Sequence, residues 1–522
     1  MNRAPLVAAG IMLSRVTGFV RLRTFAHYFG LRSDAADAFN AAFRIPTLFQ
    51  SLFGEGALSA SFIPVYAALV ARAERREAAR VAGVVFALLA SAVCLGVALA
   101  VLGTPLLVSI LAPGFTGEKR ALTVAIARVL FPGAGLLVLS AWCLGVLNSH
   151  HKFLLSYAAP MIWNAAMIVT LLAFGARDSL PRLAVMLAWG SVIGSGLQFA
   201  VQLPMIRKLV PELRLAFDLT SSHVRTIARN LVPAAVSRGV VQISAYIDAL
   251  LASLLPTGAV TGLANAQLLY TLPVSLFGIS VAASELPAMA GALGVSGKEV
   301  VRERLEAGLR RIAYFAVPSS VAFLALGDVV AGAVLQTGRF TRADAVYVWA
   351  ILGGASVGLV ASTLGRLYSS TYYAMQDPRT PLRFALVRLA LTTVLGYAGA
   401  LWAPLLIGVD PRWGAAGLTA SAGIAGWAEM LLLRAGIHRR IGHAGPDLRY
   451  MATLWVAAAL GAAVGWAIKL TLSPLHPVVL GGAVLAPFGL TYATVTLGFR
   501  VPEATAAMRR VLRRGPSTPG RD

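Results

Sequence analysis

The chain has 522 residues, 58% of them hydrophobic and only 13% charged, with a mean hydropathy of +0.75. A soluble fold cannot hide that much apolar surface behind so few charges, so the composition indicates a polytopic membrane protein. The excess of 45 Lys and Arg over 22 Asp and Glu would suggest nucleic acid in a soluble chain, but no basic helix carries base-stacking aromatics, and no nucleic-acid partner is expected.

From the N-terminus, the first apolar segment carries Arg15, Arg21 and Arg23 and lacks a small-residue cleavage site after an uninterrupted apolar core, so no cleavable signal peptide is expected. A bilayer core of about 30 Å takes about 20 apolar residues per helix. Segments of that size recur to the C-terminus, predicting about fourteen spans near 5–28, 36–69, 81–111, 121–147, 154–175, 182–206, 226–254, 261–291, 307–335, 344–374, 382–407, 413–435, 450–472 and 476–499. The fold class is thus all-α. Alternate connections are rich in Lys and Arg, among them Arg72, Arg75, Arg76 and Arg80, Lys298, Arg302 and Arg304, and the tail Arg509 to Arg514. This asymmetry predicts both termini in the cytoplasm.

Arg44-Ile-Pro-Thr-Leu-Phe, leading to Pro64, is echoed by Thr271-Leu-Pro-Val-Ser-Leu-Phe, leading to Pro287. An offset of six spans preserves orientation, so the expected architecture is two six-helix lobes related as parallel repeats, 1–215 and 216–445. Two extra spans at 446–500 and a basic tail at 501–522 follow.

Charges inside a bilayer cost roughly 2.5–3.5 kcal/mol each on insertion scales, so each must face something polar. Ser14, Thr17 and Arg21 form one stripe at helical spacing, Arg15 lies about 100° from Ser14, and the second span carries Asp37, Arg44 and Glu55. Such a concentration belongs against a wet cavity, and excess guanidinium suits an anion such as phosphate or diphosphate. Arg238, Asp248, Glu285, Arg366, Arg388 and Glu429 are scattered through the second half; for Glu285, Arg366 and Arg388, buried ion pairs or snorkelling are the expected explanation. No Walker loop, HExxH or metal cluster is present, adjacent His150 and His151 diverge on a helix, and Cys94 and Cys143 sit in apolar runs. Neither an enzyme, a metal site nor a cofactor is expected.

The run from Ser14-Arg15-Val16-Thr17-Gly18 through Arg21, the segment Ala36-Asp37-Ala38-Phe39-Asn40 to Arg44-Ile45-Pro46, and Glu55-Gly56-Ala57-Leu58-Ser59 leading to Pro64 resemble the N-terminal signature of the MurJ (MviN) family, within the MATE-like and polysaccharide flippases. Leu272-Pro273 with Phe277-Gly278, and Tyr373 to Pro381, extend the resemblance over nearly the whole chain. It implies a lipid II flippase that moves undecaprenyl-diphosphate-linked muropeptide from the cytoplasmic to the periplasmic leaflet of the bacterial inner membrane by alternating access, in peptidoglycan biosynthesis. It also implies a cationic cavity between lobes and a lipid-tail groove on the last two helices, where Leu454, Val456, Leu460, Val464, Val479, Leu480, Val484 and Leu485, with Gly461, Gly465, Gly481 and Gly482, would offer a prenyl chain its surface. With the cavity reading, the expected substrate-binding residues are Arg15, Arg21, Asp37, Arg44, Glu55, Ser14, Gly18, Ser59 and Gln50. Beyond lipid II, the expected partners are membrane lipids and cell-wall synthesis machinery.

The chain departs from the family where Thr47 and Gln50 replace Asn and Arg, and where Leu268 replaces an Arg. Arg44, Arg23 or Arg238 would have to restore that charge. Asp248 resembles an acidic residue of a family sodium site; the eleventh span offers it Thr392 and Thr393 but no carboxylate or amide. Sodium coupling and membrane potential are the two drives this implies. The alternatives are a flippase for another polyprenyl-diphosphate oligosaccharide and an inactive scaffold.

Overall fold

A computed structural model describes residues 4–53, 55–218, 220–295, 297–472 and 475–512; within its helices, side chains are not described at 4–9, 11, 52, 53, 55–57, 59, 60, 232–245, 293–295, 507 and 510–512. The described residues are almost entirely helical. In order they form α1 (Ala4–Phe29), α2 (Asp34–Phe53), α3 (Glu55–Ala71), α4 (Arg75–Leu111), α5 (Gly117–Ser149), α6 (Phe153–Phe174), α7 (Leu180–Leu209), α8 (Ser222–Ser253) and α9 (Ala259–Pro273). A π-helical stretch, Val274–Ile279, leads into α10 (Ser280–Val295) and then α11 (Gly297–Leu335), α12 (Arg342–Ser356), α13 (Leu359–Ala374) and α14 (Arg379–Tyr397). A second π-helical stretch, Ala398–Trp402, precedes α15 (Ala403–Ile407), followed by α16 (Gly414–Ile441), α17 (Leu448–Thr471), α18 (Pro477–Gly498) and α19 (Pro502–Leu512).

Every expected span coincides with helix, several in pieces. The second is covered by α2 and α3 on either side of Gly54, which lies outside the described residues, the eighth is interrupted by π-helix just after Pro273, and the tenth is α12 and α13 with a bend of 42°. Among the described residues ten helices are long and apolar enough to cross a membrane, eleven if the bent pair is one span. Fourteen is therefore not reached on this measure. The helices below that measure include α1, α2, α3 and α8, each of which has residues whose side chains are not described.

The chain packs into two compact units: Met1–Thr261 with Thr337–Thr341, and Gly262–Gln336 with Arg342–Asp522. In the first, α5 packs on α2 and α7, α6 on α1 and α7, and α8 on α2, α3 and α4. An aromatic ladder crosses it: Phe25 lies 4.5 Å from Phe29 and 5.5 Å from Phe39, Phe39 lies 5.8 Å from Phe43, and Phe43 lies 5.8 Å from Trp163. Two buried amides share one hydroxyl: Gln198 and Gln202 each donate from Nε2 to Ser140 Oγ at 3.0 Å, while Gln202 Oε1 has no partner among the described residues.

In the second unit, α11 is the central strut, packed by α10, α12, α13, α17 and α18. It kinks at Leu326 (φ −125°, ψ 16°). A kink frees carbonyls, and here two indoles take them: Trp349 Nε1 donates to Leu324 O at 3.0 Å and Trp466 Nε1 to Ala325 O at 2.8 Å. The C-terminal pair packs through its glycines. A Cβ on Gly461 would meet Phe488 O at 2.8 Å, one on Gly465 would meet Leu326 Cδ1 at 2.9 Å, and one on Gly481 would meet Ala333 Cβ at 2.6 Å. Three of the four glycines expected to offer a surface to a prenyl chain are thus closed by helix packing, with only Gly482 open. Leu454 and Val484, expected on that surface, are fully buried, whereas Val456, Leu460, Val464 and Val479 are exposed.

Candidate functional site

The polar residues of α1 and α2 occupy three stations within the first unit. On α1, Met12, Leu13, Val16 and Val20 are exposed and share one face. Ser14, Thr17, Gly18 and Arg21 lie on the other, which packs against α6. Here the Arg21 guanidinium lies over Trp163, 4.7 Å from the ring centroid, and 5.8 Å from that of Phe43. Its Nη1 donates to Met167 Sδ at 3.4 Å, and its Nε is buried with no acceptor among the described residues. Asn164, beside Gly18, donates to Pro160 O, and its own Oδ1 has no donor among the described residues. A guanidinium held on aromatic faces is fixed in place without being neutralised, which keeps it available to an anion. Arg15 is exposed beside the apolar face. The spacing argument separated it from Ser14, and the structure separates it from Arg21 as well.

Asp37 forms the second station. It is only 1% exposed. Its Oδ2 accepts from Lys119 Nζ at 2.9 Å and the Gly258 N–H at 2.8 Å, and its Oδ1 accepts from the Thr261 N–H at 2.9 Å and Thr261 Oγ1 at 2.7 Å. Gly258 has φ +101°, a backbone conformation that side-chain-bearing residues rarely adopt. The carboxylate is saturated by the protein, so its place is structural.

Arg44 is the third. Its carbonyl accepts from Tyr246 Oη at 2.8 Å and Thr47 Oγ1 at 2.6 Å, and its guanidinium is attracted by Asp248. Thr47, a departure from the family pattern, thus binds backbone. Gln50 is half-buried one helical turn further along. Glu55, Ser59 and Arg238 lie outside the residues whose side chains are described, as does Gly54.

In the second unit, Arg388 pairs with Glu429 at 3.0 Å, and Glu285 with Arg304 at 3.6 Å, the ion pairs expected of them. Arg366 lies near Arg388 and Tyr270, and Tyr270 Oη shares a hydrogen with Ser362 Oγ at 2.8 Å. Thr392 Oγ1 is buried without a partner among the described residues, and Thr393 Oγ1 donates to Leu389 O at 2.8 Å. No group of three or more His, Cys, Asp or Glu is arranged for a metal among the described residues.

Outside the spans, two connections are pinned by carboxylates. Asp377 accepts from Thr380 Oγ1 and Arg440 Nη2, both at 2.7 Å, which hold its carboxyl down at about 2. Asp218, bonded to Thr220 and Arg80, is likewise held below the usual carboxylate range. Burial, and then the neighbouring His151, lower the pKa of His150, which meets Tyr66 Oη at 3.0 Å.

Sequence reasoning missed Trp163, Phe43, Asn164 and Met167, the surroundings of Arg21. Asn164 inside an apolar span was the available signal.

A family model described as "Lipid II flippase MurJ" matches residues 25–481. The chain is 31% identical over 445 residues to the lipid II flippase MurJ of Burkholderia cenocepacia, covering 84% of each protein. It is 29% identical over 529 residues to the probable lipid II flippase MurJ of Rhizobium meliloti, covering 98% of this chain and 96% of that one. Its fold matches a solved structure described as lipid II flippase MurJ, inward closed conformation (TM-score 0.76, 22% identity, 95% of this chain and 99% of that one). It also matches an inward-facing MATE family multidrug transporter (TM-score 0.65, 16% identity, 83% and 98%).

Proposed function

The chain belongs to the MurJ family of lipid II flippases, and from that premise we propose that it carries lipid II across the membrane, with Arg21 as the residue that meets the diphosphate. It is a multi-pass membrane transporter and not an enzyme. The observation that carries the assignment of Arg21 is its environment: a guanidinium immobilised on Trp163, with a buried Nε that no described residue satisfies. A diphosphate oxygen supplies the acceptor the protein withholds. Arg44, on the next helix and partly neutralised by Asp248, and the exposed Arg15 add positive charge along the route and take over from the cations lost at Gln50 and Leu268. Ser14, Gly18, Glu55 and Ser59 belong to the same proposed path. Asp37 acts indirectly, by holding Lys119 and the backbone at Gly258 and Thr261.

The lobes 1–215 and 216–445 rock in alternating access, with 446–500 guiding the prenyl tail. The tail stays in hydrocarbon because each buried CH₂ is worth about 0.8 kcal/mol. The open surface for it is the exposed face of Val456, Leu460, Val464 and Val479. Residence in the inner membrane with both termini cytoplasmic is part of the same proposal, and the alternation of basic connections supports it. No step is routed through sodium. Arg44 already offsets the charge of Asp248; membrane potential acting on cationic groups supplies about 2.3 kcal/mol per charge per 100 mV. Complementation of a flippase-depleted bacterium, read as arrival of lipid II in the periplasmic leaflet, tests the reading: normal arrival with the wild-type chain supports it, and none despite normal membrane levels refutes it.

A further inference from the structure

Within the second unit, the connections α11–α12 and α17–α18 meet around a cavity of about 120 Å³ bordered by Asp328, Gln336, Arg342, Lys469 and Leu475. Asp328 Oδ2 pairs with Lys469 Nζ at 2.6 Å, with the two side chains only 12% and 13% exposed. The other oxygen, Oδ1, is buried and has no donor among the described residues. Lys469 Nζ also lies 4.4 Å from the Trp466 ring and 5.9 Å from that of Trp349, while Arg342 stands exposed.

The cavity therefore makes two opposite demands. The carboxylate keeps an acceptor open in a place where an unmet acceptor is costly, and Lys469 and Arg342 present donors that suit an anion. A ligand with a primary ammonium and a phosphate answers both. A trimethylammonium group has no N–H to give Oδ1, and a glycerol-phosphate group brings no cation. Four helix ends converge here, and Trp and Lys are the side chains that settle at a bilayer boundary. We propose that this cavity holds the phosphoethanolamine headgroup of a membrane phospholipid, with the ammonium on Asp328 Oδ1 and the phosphate on Lys469 and Arg342.

The test uses the full chain in nanodiscs of phosphatidylethanolamine, phosphatidylcholine or phosphatidylglycerol, reading lipid retention by native mass spectrometry and the unfolding midpoint. One charge-assisted hydrogen bond predicts about tenfold better retention of the ethanolamine lipid than of either other lipid. Asp328→Asn should erase the preference over choline. Arg342→Gln, exposed and outside the ion pair, should weaken retention of all three lipids, since each carries the phosphate, and serves alone should Asp328→Asn misfold. A raised midpoint with soluble phosphoethanolamine as well as with the lipid supports the headgroup as the recognised part. A soluble effect without a lipid effect, equal retention of all three lipids, a preference over choline unchanged in Asp328→Asn, or retention unchanged in Arg342→Gln overturns the proposal. Lipid II transport in the same discs is a separate readout, so failure here is distinguishable from failure of the flippase reading.

Discussion

Arg21 and Asp37 stand on neighbouring helices and carry opposite charges, yet their surroundings give them different tasks. Arg21→Ala should abolish periplasmic arrival of lipid II without reducing protein in the membrane, because removing a cation from an apolar helix eases insertion. Arg21→Lys should also fail: an ammonium cannot lie flat on Trp163 while keeping a planar donor fork. Asp37→Asn should act through stability, since it breaks the buried ion pair with Lys119, leaving that ammonium only the exposed carboxylate of Asp34 at 3.1 Å, and weakens bonds to Gly258 and Thr261. Breaking a buried pair costs roughly 3 kcal/mol, so thermal unfolding in detergent should begin at distinctly lower temperature. That both residues need a particular environment was legible in the sequence, because charge in a span is conspicuous. Their division of labour was not, since the partners of Asp37 lie 82, 221 and 224 residues away and no local pattern links them.

Among the helices, period and hydropathy located nearly every element, and Pro273 marked where the eighth span is interrupted. The role of individual glycines was misread in the C-terminal pair, because a small residue at helical spacing serves equally for helix contact and for a smooth outer surface. Gly278 likewise sits against Thr363, where a Cβ would come within 3.3 Å. The structure separates these uses by experiment as well as by distance. Gly481→Ala forces a Cβ against Ala333 and should lower the unfolding midpoint, whereas Gly482→Ala, with nothing within 4 Å, should leave it unchanged. The elbow in α11 had no sequence signal at Leu326. Trp349→Phe strips the N–H that meets Leu324 O, and leaving that carbonyl unmet should cost about 1–2 kcal/mol, read as a lower midpoint.

For the whole molecule, acid stability follows from the connections. Asp377 titrates at about 2 in the folded chain, below an unfolded aspartate near 3.9. Its contribution is complete above the unfolded value and is lost as pH falls from there through about 2. His150, lowered by burial, acts in the same direction at milder pH: the folded state resists its protonation, so stability declines as pH drops below about 6.5. Midpoints measured from pH 8 to pH 3 should fall in two stages, and Asp377→Asn should blunt the lower one. Orientation is a separate expectation. Reporter fusions at Gly117 and Ala343 should score periplasmic and those at Glu77, Lys298 and Gly515 cytoplasmic, as the alternation of basic connections requires. Transport should also persist when sodium is replaced by potassium.

The bonds of Asp37 bear on how the protein is made. Lys119 leaves the ribosome early, but the N–H groups of Gly258 and Thr261 follow about 140 residues later. At about 5–20 residues per second, that interval is on the order of ten seconds. Throughout it, a carboxylate destined for full burial holds its cation but lacks its backbone donors. The nascent N-terminal helices must therefore wait in the bilayer half-assembled, a stage at which a membrane chaperone or a quality-control protease would find its opening.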